Sequence, residues 1–162
     1  MINKINFLFV TLFGIGKIRK IPGSIASLIT TLFLFFVLHV LNISPNIILI
    51  SIIIIFFISL YAVNIFIKDL ENKDPKEVVI DEFIGQSIPI CLYEIAHEGT
   101  KETNQVLTYY FIIFVLFRIF DITKPFPASY YEKNFKNSLG VIMDDVCAGL
   151  YVVAVLVLYM VI

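Results

Sequence analysis

Three clusters of charged residues lie where apolar segments of the sequence give way to polar ones. A carboxylate at the edge of hydrocarbon is costly, on the order of 2.5 to 3.5 kcal/mol at the bilayer centre and less near the interface, so it needs a compensating partner. Oxygen ligands that converge from several segments suit Mg²⁺ or Ca²⁺, and Mg²⁺ commonly bridges carboxylates and a substrate phosphate. We therefore expect a metal site that acts on a phosphate. The clusters are Asp74-Pro75-Lys76-Glu77 with Asp81-Glu82, then Arg118 and Asp121 with Lys124, and finally Asp144-Asp145.

Some of these acids also have a purely structural explanation. The Asp144-Asp145 pair stands where the N-cap of the last apolar helix would fall, and acids favour helix N-termini. Asp121 follows Arg118 by three residues, a spacing at which the two can pair on one helix. The alternative is that the arginine holds a phosphate while the aspartate holds the metal. Asp81-Glu82 has apolar residues on both sides, and we favour a functional role for this pair.

The residue types also narrow the chemistry of phosphate release. Hydrolysis of a phosphomonoester needs charge neutralised on the phosphoryl oxygens, an aligned nucleophile and help for the leaving oxygen. A cysteine nucleophile is disfavoured, since neither Cys91 nor Cys147 is followed at the sixth position by arginine, and we expect both to be buried small hydrophobic residues. His39 is expected inside a membrane helix and His97 on the opposite side of the membrane. Metal-assisted attack by water or by a carboxylate remains open.

The segments around these clusters are those of a membrane protein. Hydrophobic residues make up 59% of the 162 residues, above the usual share in soluble domains. Residues 21–67 contain no Asp, Glu, Lys or Arg, which leaves room for two spans of about 20 residues each. Turn-forming residues at positions 42–46 divide this stretch. We therefore place helices at Ser24–Leu41 and Asn46–Ile67.

Three further apolar segments follow, and we expect an all-α membrane bundle of about four to five apolar helices. The two shorter of these segments either cross fully or dip in and return, and both paths bring the chain back to the same side. We assign residues 1–162 to one domain. The apolar segments are 78–93, 105–120 and 146–162, and the polar loops are Lys68–Glu77, Glu94–Asn104 and Asp121–Asp145.

The positive residues orient the bundle. If every apolar segment crosses, eleven of the twelve Lys and Arg residues fall on the side of the N-terminus, leaving Lys101 opposite. Because positive residues near membrane segments stay in the cytoplasm, we expect this side to be cytoplasmic. Glu94, Glu98 and Glu102 are then expected to face outward. The net charge of −1 argues against a nucleic-acid partner.

Four blocks of the sequence have the order and spacing of a known enzyme family and span nearly the whole chain. The blocks are IPGSIASL at 21–28, DPKEVVIDEFIG at 74–85, FRIFDITKPFP at 117–127 and GVIMDDVCAGLY at 140–151. Together they resemble phosphatidylglycerophosphatase A. The resemblance implies an all-helical, Mg²⁺-dependent enzyme of the bacterial cytoplasmic membrane with its active site facing the cytoplasm. Such an enzyme removes the terminal phosphate of phosphatidylglycerophosphate, giving phosphatidylglycerol and inorganic phosphate.

The resemblance also implies roles for individual residues. One carboxylate that binds no metal would act as the general base on water. The expected catalytic residues are Asp81, Glu82, Asp121, Lys124, Asp144 and Asp145. The expected metal ligands are Asp81, Glu82, Asp121 and Asp145, with Asp144 as a further candidate. The residues expected to contact the substrate phosphate are Ser24, Lys76, Arg118 and Lys124.

The first block departs from the usual family pattern. Ser24 and Ala26 stand where the family usually has Thr and Gly, and the aromatic residue that often follows the IDExxG stretch is absent. Ser24 keeps a hydroxyl, which could bind phosphate together with the N–H groups at the start of the helix. Residues 22–24 equally fit a turn and a helix N-cap, and the two roles are compatible.

Three other functions compete with this reading. The acids could hold a passing ion in a cation transporter or channel, although the first two helices and the last offer almost no polar side chains for a continuous path. The clusters could bind a partner's loop in a non-catalytic subunit, although no obligate protein partner is evident. A metal-dependent phosphatase of another lipid phosphate, such as phosphatidate, would use the same chemistry, and only the family resemblance selects the head group.

Overall fold

The computed structural model describes residues 4–73, 75–97 and 103–161, and these residues form helices and no strand. A short 3₁₀ turn, Ile15–Lys17, follows the first helix, and the second helix continues into a wider π-helical turn, Phe36–Val40. The α-helices are α1 Lys4–Val10, α2 Pro22–Phe35, α3 Pro45–Ile67, α4 Ile80–Ala96, α5 Thr103–Thr123, α6 Ala128–Asn134 and α7 Ser138–Val161.

Four helical segments are long and apolar enough to cross a membrane, namely Pro22–Val40, Pro45–Ile67, Asn104–Thr123 and Ser138–Tyr159. Large apolar side chains point away from the bundle; Phe57 of α3, for example, is 64% exposed. Such a surface is unfavourable in water and suits lipid. The prediction of an all-α membrane bundle is therefore confirmed.

Helix α4 is the polar centre of the bundle. It has 17 residues and packs against α2, α3, α5 and α7. At 1.5 Å per residue it is about 25 Å long, slightly short of the hydrocarbon core of a bilayer. It is not one of the four apolar spans, so the structure has four such spans with a shorter, more polar helix enclosed among them.

Helices α4 and α7 run parallel and very close together. Gly85 lies against the backbone of Asp145, and Gly149 lies against Gly85 and Pro89 one turn further on. Glycine lets two backbones approach in this way because it has no Cβ atom. Since Asp81 and Asp145 lie near the start of this contact, the two glycines also set how closely the carboxylates of the two helices approach.

Three buried hydroxyls of α2 are satisfied within that helix. The hydroxyls of Ser27, Thr30 and Thr31 each donate a hydrogen bond to the carbonyl oxygen four residues earlier, at 2.8 to 2.9 Å. At the far end of the bundle, His39 Nε2 lies 3.2 Å from Glu94 Oε1. His39 is thus a packed helix residue remote from the acidic clusters, as its position in the sequence predicts.

The prediction that Asp121–Asp145 is a loop is wrong, because both ends and part of the interior of this segment are helical. Helix α5 continues to Thr123, so Asp121 belongs to its last turn. The α6 helix, Ala128–Asn134, lies inside the segment. Helix α7 begins at Ser138, so the Asp144-Asp145 pair lies two turns inside it and cannot cap it. The polar composition of the segment hid these helical ends.

The N-cap of α7 is Asn137, which the sequence pattern did not single out. Its Oδ1 accepts hydrogen bonds from the backbone N–H groups of Leu139 and Gly140, at 3.1 and 3.2 Å. This is the usual way in which an asparagine satisfies the first free N–H groups of a helix. The acid pair therefore has no capping role, and the structural explanation for it is removed.

Several predictions concern residues outside the described ranges. These are Asp74 in the second block, the outward-facing Glu98 and Glu102, and Lys101 in the same loop. The assignment of residues 1–162 to a single domain also stays a prediction.

The contact between α4 and α7 generates the first prediction. Gly149→Ala places a methyl group against the Gly85 carbonyl oxygen and should destabilise the protein by about 1 to 3 kcal/mol, as overpacking does. We expect a lower midpoint of thermal unfolding in detergent. Leu150→Ala, at a neighbouring position that is 49% exposed, is the control and should change the midpoint little. Equal midpoints for the two variants would contradict the proposed close contact.

Candidate metal and phosphate site

All nine predicted site residues line one cavity of about 470 Å³, here called the site cavity. Its walls are the start of α2, the loop before α4, the first turn of α4, the last two turns of α5 and the second and third turns of α7. The sequence blocks that carry the family resemblance thus meet in one place. The residues are Ser24, Lys76, Asp81, Glu82, Arg118, Asp121, Lys124, Asp144 and Asp145.

Three acids converge within the site cavity. Asp81, Glu82 and Asp145 each offer a carboxylate oxygen, and these oxygens lie within 4.8 Å of one another. We call these residues the acid triad. Asp81 and Asp145 are only 7% and 3% exposed. Such close burial of three carboxylates is unfavourable unless positive charge is present among them.

The acid triad has the donor chemistry that a hard divalent cation requires. Carboxylate oxygens are the ligands that Mg²⁺ and Ca²⁺ prefer. One triad oxygen, Glu82 Oε2, is buried and has no hydrogen-bond partner among the described residues. Since buried polar atoms are nearly always paired, this oxygen marks a position at which a cation would satisfy the site.

Arg118 and Asp121 form an ion pair on α5, as their spacing predicts. Arg118 Nη1 also donates a hydrogen bond to Ser27 Oγ on α2, at 3.3 Å. Asp121 lines the site cavity but does not belong to the acid triad. Its role as a metal ligand and the phosphate contact of Arg118 stay predictions.

Lys124 bridges two acids across the mouth of the site cavity. Its Nζ donates hydrogen bonds to Asp144 Oδ2 at 2.7 Å and to Glu132 Oε1 at 2.9 Å. Burial acts to lower the pKa of Lys124, but the two carboxylates outweigh that effect and raise the pKa above its ordinary value. The ammonium group is therefore charged at neutral pH.

The local backbone explains how Lys124 reaches this position. The residue adopts a left-handed conformation, with φ of 42°, directly after the end of α5. Its N–H still donates to the Phe120 carbonyl oxygen at 2.8 Å, and Pro125 prevents the helix from continuing. The side chain is thereby turned from the α5 direction toward α6 and α7.

The start of α2 closes the site cavity on another side. Gly23 lies against the Glu82 carboxylate and near Arg118, so any larger side chain would occupy the space beside the triad. Ser24 lines the site cavity as the third residue of the helix. The N-cap is Ile21, which has no side-chain hydrogen bond, and residues 22–24 already belong to the helix, so the alternative explanation of these residues as a turn and N-cap is wrong.

Sequence reasoning missed three residues at or near the site. Ser27 stands within the first block, but its contact with Arg118 crosses from α2 to α5 and leaves no spacing signal. Glu132 lies in what the sequence presents as a loop. Gln86, one turn after Glu82, is fully buried, and its amide has no hydrogen-bond partner among the described residues.

Known proteins similar to the chain are phosphatases of lipid phosphates. The family model described as phosphatidylglycerophosphatase A matches residues 8–160. A phosphatidylglycerophosphatase A from Haemophilus influenzae is 32% identical over 157 residues, which cover 96% of the chain and 88% of that protein. The Escherichia coli protein of the same name is 33% identical over 82 residues, 51% of the chain and 42% of that relative.

A relative with a different description matches about half of the chain. It is a putative phosphatidylinositol-3-phosphatase from Bacteroides thetaiotaomicron, 41% identical over 80 residues that cover 49% of the chain and 45% of that protein. No solved structure gives a significant match.

The Lys124 bridge generates the second prediction. Lys124→Gln removes the cation 2.7 Å from the Asp144 carboxylate, whose side chain is 8% exposed, and should cost about 1 to 3 kcal/mol of unfolding free energy. The matched variant Glu132→Gln alters the partner that is 39% exposed and should cost no more than about 1 kcal/mol. Thermal unfolding in detergent with EDTA measures both. A larger loss in the Glu132 variant would be inconsistent with this order.

Proposed function

The chain belongs to the phosphatidylglycerophosphatase A family and is a phosphatase, and from this premise we propose that phosphatidylglycerophosphate is its substrate. The products are phosphatidylglycerol and inorganic phosphate. The observation that carries the proposal is the site cavity itself, where the acid triad, Arg118 and Lys124 meet at the end of an apolar helix bundle. A lipid phosphate brings a charged head group and apolar chains to the same place.

Mg²⁺ is the cation proposed for the acid triad. Asp81, Glu82 and Asp145 would hold it, and the unpartnered Glu82 Oε2 supports this assignment. When bound, Mg²⁺ would neutralise charge on the phosphoryl oxygens. Asp121 would join the ligands only by sharing its carboxylate with Arg118.

The remaining charged residues of the site cavity divide the other tasks. Arg118 and Lys124 supply N–H donors to the phosphate, and hydrogen bonds from these cationic groups to a phosphate are stronger than those from neutral donors. Asp121 and Asp144 lie outside the acid triad and are the carboxylates left to accept a proton from the attacking water. The water oxygen bonds to phosphorus, the bond from phosphorus to the glycerol oxygen breaks, and that oxygen takes up a proton.

The proposed location is the cytoplasmic face of the bacterial inner membrane. The chain is a membrane protein, and the part of it that the structure describes contains four apolar spans. Eleven of its twelve Lys and Arg residues are expected on the side of the site cavity, and positive residues favour the cytoplasmic side. The head group would then enter the site cavity while its acyl chains stay beside the helices, and no protein partner is required.

The rival substrates differ in how the phosphate is attached. Phosphatidate carries one phosphomonoester directly on its diacylglycerol, whereas phosphatidylglycerophosphate carries a monoester beyond a phosphodiester. The Bacteroides relative is described as acting on a phosphatidylinositol phosphate, although the match covers only half of each chain. The match over 88% of the Haemophilus protein favours phosphatidylglycerophosphate.

The third prediction tests the substrate and the triad together. Purified protein in detergent with Mg²⁺ should release phosphate from phosphatidylglycerophosphate faster than from phosphatidate or phosphatidylinositol 3-phosphate, and EDTA should stop the release. Asp81→Asn should lower kcat by about a hundredfold or more, because a triad ligand loses its charge. Asp69→Asn, at an exposed position outside the site cavity, should match the unaltered protein.

Two outcomes would overturn this proposal. Release that continues at full rate in EDTA would exclude the divalent cation. Faster release from phosphatidate or from the inositol lipid would exclude the proposed substrate while keeping a lipid phosphatase.

The fourth prediction isolates cation binding from catalysis. A ligand that binds only the folded protein stabilises it by about 2.7 kcal/mol at a hundred times its Kd. Mg²⁺ should therefore raise the midpoint of thermal unfolding of the unaltered protein and of Asp69→Asn, and should do so much less for Asp145→Asn. An equal rise in all three proteins would place the Mg²⁺ effect outside the acid triad.

A further inference from the structure

A second cavity lies beside the site cavity on the same end of the bundle. Its volume is about 850 Å³, and it runs between α1, the 3₁₀ turn, the end of α3 and the loop before α4. We call it the groove. Much of its lining is apolar, including Phe7, Ile18, Phe66 and Leu70. None of the sequence-predicted site residues except Lys76 lines it.

The groove and the site cavity share one wall, here called the seam. Four residues line both cavities: Arg19, Pro22, Pro75 and Lys76. Two of them are cations and none is acidic. The acids of the groove, Glu71 and Glu77, do not line the site cavity. The boundary between the cavities is therefore positive, with two prolines that restrict its backbone.

The two seam cations differ from the cations deeper in the site cavity. Arg118 is paired with Asp121, and Lys124 is paired with Asp144 and Glu132. Arg19 and Lys76 are exposed and make no hydrogen bond or ion pair with the described residues. Lys17 at the far side of the groove already lies over the Phe7 ring, 4.6 Å from its centroid. The seam thus offers the cations most available to an arriving anion.

We propose that the seam binds the phosphodiester of the substrate and that the groove takes the adjoining diacylglycerol part. This proposal rests on the proposed function, in which the terminal phosphate lies at the acid triad. The substrate has a second phosphate one glycerol away, and the seam is the positive wall that the site cavity presents on the way to the apolar groove.

This arrangement makes Arg19 a specificity-determining residue. Its guanidinium can donate two parallel N–H bonds to a phosphodiester, with Lys76 as a second point charge. Phosphatidate has no second phosphate, so it cannot place one phosphate at the acid triad and another at the seam. The seam therefore selects for head groups that carry both.

The test is the variant Arg19→Gln in the full chain, purified in detergent. We expect KM for phosphatidylglycerophosphate to rise about tenfold with a smaller change in kcat, as loss of a uniform binding contact does. Inhibition by phosphatidylglycerol, which carries only the diester, should weaken by a similar factor. Inhibition by inorganic phosphate should stay the same, because we expect that ion to bind at the cation proposed for the acid triad and not at the seam.

The matched control is Lys20→Gln. It removes the same charge from the neighbouring exposed residue, which lines neither cavity. KM for phosphatidylglycerophosphate and the inhibition constants of phosphatidylglycerol and inorganic phosphate should stay unchanged. Lys76→Gln should reproduce the Arg19 pattern in a milder form. The midpoints of thermal unfolding of all variants should agree, which separates a binding defect from misfolding.

Three results would overturn the inference. They are unchanged KM in Arg19→Gln, an equal loss of inhibition by inorganic phosphate, and the same defect in Lys20→Gln. If the unaltered protein released no phosphate from phosphatidylglycerophosphate, the proposed function would fail. Direct binding of phosphatidylglycerol in micelles would then test whether the seam binds a phosphodiester. The proposal predicts that Arg19→Gln binds this lipid about tenfold more weakly than Lys20→Gln does.

Discussion

The repulsion among buried carboxylates is the constraint on which the rest of this structure depends. Five acids line one cavity at the end of a bundle with four apolar spans, and three of them lie within 4.8 Å of one another. Neighbouring protein can stabilise such a group only by supplying positive charge or hydrogen-bond donors. The structure supplies positive charge to some of the five acids and not equally to all of them. Asp121 is paired with Arg118 and Asp144 with Lys124, while the three acids of the triad are close neighbours of one another. That difference separates the acids held by the protein from those that suit an added cation.

The helices are arranged around this constraint. Helix α4 brings two acids and α7 brings the third, and the two helices can meet closely because Gly85 and Gly149 lie at their contact. Helices α2, α3 and α5 also pack against α4, so this more polar helix is surrounded by the apolar spans. Helix α2 contributes hydroxyls that are satisfied by its own carbonyl groups, and Ser27 among them also accepts a hydrogen bond from Arg118. The apolar spans thus allow a polar helix to sit among them, which a lone helix of this composition could not do in lipid.

Much of the fold could be predicted from the sequence, because membrane helices leave a strong signal. The absence of charge over residues 21–67 and the turn residues that divide it located two spans to within two residues of their observed bounds, Pro22–Val40 and Pro45–Ile67. The ends of α5 and α7 could not be found in this way. Asp121 in the last turn of α5 and the Asp144-Asp145 pair two turns inside α7 are charged residues that line the site cavity, so composition made these helical segments look like loop. Charged site residues interrupt the apolar composition by which the ends of membrane helices are normally recognised.

The same reasoning explains which parts of the site the sequence revealed. Acids beside apolar residues are conspicuous because their cost in a membrane is high, and all five reached one cavity. Residues that act through a contact between distant segments have no such signal. Glu132 reaches Lys124 only because a left-handed residue ends α5 and α6 folds back, and neither event follows from periodicity. Arg19 looked like one more positive residue beside a span, a role that the membrane alone explains. Only the shared wall of two cavities distinguishes it from Lys20, since charge and exposure are the same at both positions.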